Sequence, residues 1–258
     1  MKYFDYPKEK AEKLANLSDK LFFEEEWYKT YQGSPQTNFF RVIPVQQLVK
    51  TESLIIPYDD VENLIDSARY VSLAKCMCRM RNEFLGTRKC KDKYPLEICI
   101  QLNQGAKYFV ETGIGREISK EEAKKLCKKF NKMGLIHTTE NFNEGNHTLI
   151  CNCCSCCCVP LAGMIQYDNP HTVAAANYVA EINKLENCEK CETCVEKCIF
   201  TAISIEEHGP IINNEKCMGC GVCIVNCPSN IIELRPIKKN NIPRNFMELG
   251  LTIGREMH

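Results

Sequence analysis

The sequence predicts an α+β fold: a helical N-terminal region, a winged-helix-like, cysteine-rich middle region, and a C-terminal pseudo-repeat of cysteine loop, short helix and β-hairpin. Three observations carry this. Apolar residues recur at helical spacing over 8–29, from 59 or 60 to about 74, and over 119–133, while short apolar runs bounded by turn residues mark strands at 135–150 and 202–212. A string of four cysteines then occurs twice at identical spacing. These features divide the chain into an N-terminal helix and arm (1–56), a cysteine-rich helix/hairpin metal-binding domain (57–168), a connecting helix with the cysteine repeat (169–236), and a tail (237–258).

Taken in order, residues 8–29 present Leu14, Leu17, Leu21 and Phe22 on one helical face, and Trp27 and Tyr28 are expected to pack on the body. Gly33-Ser34-Pro35 ends that pattern, and Arg41-Val42-Ile43-Pro44-Val45 reads as an extended edge segment. After Pro57, Asp59 or Asp60 caps a helix expected to run to about Ala74 through Val61, Leu64, Ile65, Ala68 and Val71. Ser119 and Glu122 form a capping box, followed by the face Ala123, Leu126, Cys127, Phe130 and Met133 and the terminating Gly134. Cys127 lies on that face and reads as a core thiol. A hairpin over Leu135–Thr139 and His147–Ile150 follows, with His137 and His147 read as surface residues. Asn169-Pro170 is expected to start a helix through Val173, Ala176, Val179, Ala180 and Ile182 to about Leu185. Beyond Lys238-Lys239-Asn240-Asn241, an apolar segment from Phe246 to Ile253 is expected to pack back on the body.

The cysteines carry the chemistry. The C-terminal set reads Cys188-x-x-Cys191-x-x-Cys194-x-x-x-Cys198, then Cys217-x-x-Cys220-x-x-Cys223-x-x-x-Cys227-Pro228. Three thiolates at this spacing let a short loop wrap one corner of a [4Fe–4S] cubane, and the fourth points away to complete the other cluster. The expected ligand sets are therefore crossed: Cys188, Cys191, Cys194 and Cys227 for one cluster, Cys217, Cys220, Cys223 and Cys198 for the other. Zinc knuckles would instead show Cys-x-x-Cys pairs across a longer loop, often with histidine. Between the two strings, Ala202–Ile205 and Ile211-Ile212 flank a turn, and Ile231–Leu234 echoes them.

In the middle region six of the eight residues from Cys151 to Cys158 are cysteine. Adjacent cysteines point in different directions, so a subset is expected at any one centre. Cys151, Cys153, Cys154, Cys156, Cys157 and Cys158, with Cys76, Cys78, Cys90 and Cys99, supply enough thiolates for an additional iron–sulfur cluster or, alternatively, a four-thiolate zinc site. The Cys-x-Cys spacing at 76/78 and at 151/153 suggests that these two loops meet.

Residues 186–236 resemble a bacterial-type two-cluster ferredoxin, with Ile199 standing where the first half of such modules usually has proline. Over about 40–236 the chain is similar to larger ferredoxin-like proteins of anaerobes, through Cys76-Met77-Cys78-Arg79, Gly134-Leu135-Ile136-His137 and the 151–158 run. The resemblance implies an iron–sulfur redox protein and assigns no substrate.

Lysine plus arginine and aspartate plus glutamate both number 33, which argues against a polyanion-binding protein and against nucleic acid as partner. Charge is nonetheless uneven: residues 75–132 carry 15 basic side chains against 7 acids, and 188–235 carry 4 against 7, an arrangement suited to docking a redox partner protein. The first residues lack a signal-peptide pattern, no stretch approaches a membrane span, and 19 cysteines argue for metal ligation in a reducing compartment, so a cytoplasmic protein is expected. The expected function is single-electron transfer between a partner oxidoreductase, two [4Fe–4S] clusters and a cysteine-ligated middle centre. The alternatives are reduction of a small substrate at that centre, with Arg79 and Arg81 holding an anion, or redox-sensitive DNA binding through the helix–hairpin unit.

Overall fold

The computed structural model describes residues 7–26, 38–45, 60–167, 169, 172–237 and 242–256. The readings on Trp27, Tyr28, Gly33-Ser34-Pro35, Pro57, Asp59, Pro170 and residues 238–241 lie outside the described residues. Helices and antiparallel sheets are mixed. Helix α1 (Lys8–Asp19) runs into a π-helical turn, Lys20–Glu24. It buries Ala11 and Ala15 and leaves Leu17 and Leu21 exposed, so the packed stripe is not the leucine stripe expected. Small side chains let the helix axis come close to α3 (Met77–Phe84), on which it rests.

The main sheet has six strands in the order β1-β5-β6-β3-β2-β4. These are β1 (Phe40–Val42), β2 (Val71–Lys75), β3 (Glu97–Leu102), β4 (Gly115–Glu117), β5 (Ile136–Glu140) and β6 (Leu149–Cys153). All neighbours pair antiparallel. β1 ends the strand order, two residues short of Pro44, and its outer side is bridged by Ala174. The β5–β6 hairpin lies inside this sheet and not apart from it as a two-stranded wing, with α5 (Lys120–Lys132) ahead of it in the chain. Ser119 caps α5 by accepting from the Glu122 N–H at 3.1 Å, and Gly134 follows at φ +92°. Cys127, on α5, is fully buried among Ile100, Ile150 and Ala123, as a core thiol should be.

Two expected helices are shorter or absent. Asp60 caps α2 (Val61–Ser67) by accepting from the Asn63 N–H at 2.9 Å, but the chain turns at Ala68 and Val71 onward is strand β2. The alternation Val71-x-Leu73 suits one sheet face, and pairing on both sides with β3 and β4 outweighs the helical continuation. The helix expected after Asn169 is likewise not formed. Tyr178–Ile182 is strand β7, paired antiparallel with β10 (Ile232–Pro236), because its branched residues face a partner strand and its amides face the second cysteine loop.

Helices α4 (Asn103–Glu111) and α6 (Val159–Gln166) flank the sheet, the latter opening directly from the cysteine run. The C-terminal module adds α7 (Thr193–Lys197), the hairpin β8 (Ile203–Glu206)/β9 (Gly209–Ile212) and α8 (Val222–Val225). One continuous core joins it to the rest: Val42, Ile136 and Leu161 pack with Ile203, Val222 and Leu234. The tail helix α9 (Phe246–Glu256) packs back as expected, through Leu249 and Ile253 onto Phe142.

One glycine is fixed by two constraints at once. Gly219 holds φ +66°, and an added Cβ would stand 2.2 Å from the Tyr178 carbonyl oxygen. Gly219→Ala should destabilise the protein by at least about 1–3 kcal/mol, whereas Gly250→Ala, in open space on α9, should stabilise it by about 0.5–1 kcal/mol. Denaturant unfolding of the two variants checks both signs.

Candidate metal centres

The two C-terminal cysteine strings adopt the same backbone path. Lys190, Glu192 and Thr201 hold φ of 53°, 59° and 50°, and the residues 29 positions on, Gly219, Gly221 and Asn230, hold 66°, 73° and 51°. Each left-handed residue turns the loop so that successive thiols face inward. In the second string, Cys217, Cys220 and Cys223 line a small cavity together with Cys198 from the first, walled by Ile203 and Met218. Cys194, in turn, lies close enough to Cys227 and Cys191 for their charges to act on it. Each string thus sends its last cysteine towards the other.

Backbone amides point at three of these sulfurs: Lys190 N–H to Cys188 Sγ, Ala180 N–H to Cys217 Sγ and Ala202 N–H to Cys198 Sγ, each at 3.4 Å. Such donors stabilise negative charge on sulfur, the state in which it binds metal. Burial acts the other way, pushing the Cys220 thiol up to about 12 and Cys223 well above its ordinary value. Without metal these groups keep their protons, and metal must displace them. The donor set, inward geometry and apolar shell fit iron–sulfur clusters. The strings differ in exposure: residues 189–192 are exposed, whereas Met218, Gly219 and residues 221–223 are buried.

The ten middle-region cysteines separate into two groups. Cys90, Cys154, Cys156 and Cys157 converge so that all four sulfurs lie within 4.8 Å of one another. Sulfur–sulfur distances are 3.7 Å for Cys90–Cys157, 3.4 Å for Cys154–Cys156 and 3.7 Å for Cys156–Cys157. The expectation that adjacent cysteines diverge fails at 156 and 157, because the tight turn before α6 brings both side chains to one side. Hydrogen bonds from Cys156 and Cys157, with the Arg79 charge, hold the Cys154 thiol far below its usual range, and the contact with Cys154 pushes Cys156 up to about 12.

The second group faces a cavity of about 420 Å³. Cys76 and Cys78, at the start of α3, are hydrogen-bonding neighbours and sit beside Cys153. Cys153 also contacts Cys151 and Cys158, and Cys151 contacts Cys99. Cys99 accepts from Gln101 Nε2 at 2.8 Å. The hydrogen bond from Cys78, reinforced by Arg79, brings Cys76 down to about 7. α1, with Ala11, Leu14 and Ala15, and the π-helical turn after it, with Phe22, close the far wall. Arg79 and Arg81 also line the cavity; Arg81 stacks on Phe23 at 4.7 Å and faces Asp19 at 3.5 Å. The part played by α1 had no signature in the sequence, since small residues on a helix read only as a poor apolar stripe.

His137 and His147 are buried, not surface residues. His137 pairs its Nδ1 with Asn152 Oδ1 at 2.7 Å, directly across the β5–β6 ladder, and His147 Nδ1 lies 3.4 Å from Glu140.

The fold and its cysteine geometry define an iron–sulfur protein of ferredoxin type. Residues 187–232 match the 4Fe-4S dicluster domain, and through this module the chain belongs to that family. Relatives include one of the subunits of an ion-translocating oxidoreductase complex from Methanosarcina acetivorans, 42% identical over 48 residues, covering 19% of this chain and 18% of that one. The ferredoxin-type protein NapF of Haemophilus influenzae is 36% identical over 56 residues, 20% of this chain and 32% of its own. Pyruvate synthase subunit PorD of Thermotoga maritima is 35% identical over 85 residues, 30% of this chain and 83% of its own. The matched stretch thus spans no more than about a third of the length of the first two. The resemblance to them concerns iron–sulfur electron transfer. Among the described residues no helix is long and apolar enough to cross a membrane.

Burial lowers the His137 imidazole to about 4 from its ordinary 6.5. The unfolded chain gains a proton as pH falls through 6.5 that the native state refuses until about 4, so this contribution is full above 6.5 and declines between those values. His137→Gln should flatten the loss of stability between about pH 7 and 5, measured by urea unfolding of metal-free protein.

Proposed function

We propose that the chain carries single electrons through two [4Fe–4S] clusters in residues 169–236 to or from a redox centre in the cysteine-rich region, 57–168, in exchange with a partner oxidoreductase. The observation that carries this is the exchange of last cysteines: Cys198 beside Cys217, Cys220 and Cys223, and Cys227 beside Cys194, which Cys191 also neighbours. The ligand sets are therefore Cys188, Cys191, Cys194 and Cys227, and Cys217, Cys220, Cys223 and Cys198. Bound clusters supply one-electron chemistry; the chain supplies amide donors to sulfur, an apolar shell and fixed spacing. The second string is the more buried, and it shares its core with Ile136 and Leu161, against the cavity region. The basic stretch 75–132 offers an acidic partner a complementary surface.

Within the cavity, Cys76, Cys78, Cys153 and Cys158, with Cys99 and Cys151 behind them, are the residues that would hold the further centre. The cavity favours a second reading, in which a small anionic substrate is reduced there. At about 420 Å³ it has room beyond its thiols, and Arg79 and Arg81 present positive charge to it.

Crossed ligation makes a sharp forecast. In the double variant Cys198→Ser/Cys217→Ser both lesions fall on one cluster, so about four of the module's roughly eight irons should remain and one cluster signal should survive in paramagnetic resonance. Uncrossed ligation would lose both. For the cavity, reduced protein mixed with small oxidised anions should be reoxidised without any protein partner if the second reading holds; reoxidation by proteins alone would sink it.

A further inference from the structure

The ten middle-region cysteines need not serve one chemistry. We propose that Cys90, Cys154, Cys156 and Cys157 form a closed site for a single tetrahedrally bound zinc ion, distinct from the iron–sulfur centres and independent of whether the cavity is a redox site. The spacing of the sulfurs decides the kind of centre. A zinc–sulfur bond of about 2.3 Å places tetrahedral ligands roughly 3.8 Å apart. The observed separations are 3.4, 3.7 and 3.7 Å, and all four sulfurs fit within 4.8 Å. A cubane binds each thiolate to a different iron, so an iron–iron edge separates neighbouring ligands and spreads them further than this group allows.

Enclosure points the same way. Cys90, Cys154 and Cys157 are buried, and Ile98, Phe130 and Leu135 pack around them. Four thiolates with no open position describe a structural zinc site, not one that takes substrate. Charge provides an independent observation. Four thiolates around one divalent ion carry a net charge of about −2. Arg79 is 1% exposed, and its three guanidinium nitrogens find no oxygen or nitrogen acceptor among the described residues. Its guanidinium hydrogen-bonds to Cys90, its charge acts first on Cys154 and then on Cys76 and Cys153 of the cavity group, and it lies over the Tyr94 ring at 5.4 Å. A buried cation without a counter-charge is costly, and a dianionic site at Cys90 and Cys154 would supply one.

The ion would clamp two turns that share no strand. One is the Cys90–Tyr94 turn, closed by Tyr94 N–H donating to the Cys90 carbonyl at 3.0 Å; the other is the turn at residues 154–157 leading into α6. Cys154 and Cys157 of the second turn also line the cavity, so the clamp would fix one of its sides.

The first test uses the unaltered, anaerobically purified chain. Elemental analysis should find about one zinc per chain, and X-ray absorption at the zinc edge should show four sulfurs at about 2.3 Å with no neighbouring metal. In Cys90→Ser, zinc should fall several-fold while the module's iron and its reduced-state resonance persist. Iron in place of zinc, as a mononuclear centre or with an iron neighbour, would overturn the proposal. So would zinc that shows nitrogen or oxygen ligands in place of the four sulfurs, or that survives the Cys90→Ser change.

Discussion

The antiparallel pairing of β5 with β6 is the constraint on which the rest of the molecule depends. Its register sets Ile136 opposite Cys153, His137 opposite Asn152 and Thr138 opposite Cys151. Side chains alternate across a strand, so a shift of one residue would turn Cys151 and Cys153 to the opposite face and Asn152 into their place. The buried His137–Asn152 pair opposes that shift, because either partner displaced would leave a polar group without its hydrogen bond. β6 is also held on its other side by β3, with Ile100 opposite Ile150. From that fixed strand the chain runs straight into the 154–158 turn, and the placement of the six thiols from Cys151 to Cys158 follows.

A second dependence concerns how the module is attached. Its aliphatic residues are not a self-contained core; they interlock with Val42, Ile136 and Leu161 of the larger sheet region. The peptide linking them, β7, donates amides to the second cysteine loop: Ala180 N–H to Cys217 Sγ at 3.4 Å and, just before the strand, Ala176 N–H to the Met218 carbonyl at 3.0 Å. A helix in that position would have spent those amides internally. The distance between the two cysteine-rich regions is thereby set by packing and not by a flexible linker.

The local code was legible wherever one residue type has one use. The α5 cap at Ser119, the buried Cys127, the edge proline after β1 and the 29-residue repeat of cysteines were all readable. What could not be read depended on partners distant in sequence. Val71 and Val179 have apolar spacing compatible with a helix, and only their pairing with β3, β4 and β10 makes them strands. The division of ten cysteines between two groups depends on Cys90 folding towards 154–157 and Cys99 towards 151, over separations no spacing rule covers. Arg79 was noted for its charge, but that it is buried, and buried beside thiols, follows only from the tertiary fold.

The two cysteine loops share a backbone and differ in their surroundings. Lys190 and Glu192 accept a left-handed conformation in open solvent, where glycine occupies the matching places of the other loop, Gly219 lying against the carbonyl of Tyr178. Two sites of one design are therefore not interchangeable. The first loop presents residues 189–192 to solvent, while Met218, Gly219 and residues 221–223 of the second are packed against the body. More water around one and more hydrocarbon around the other would give clusters bound there different potentials, so the module has a front and a back.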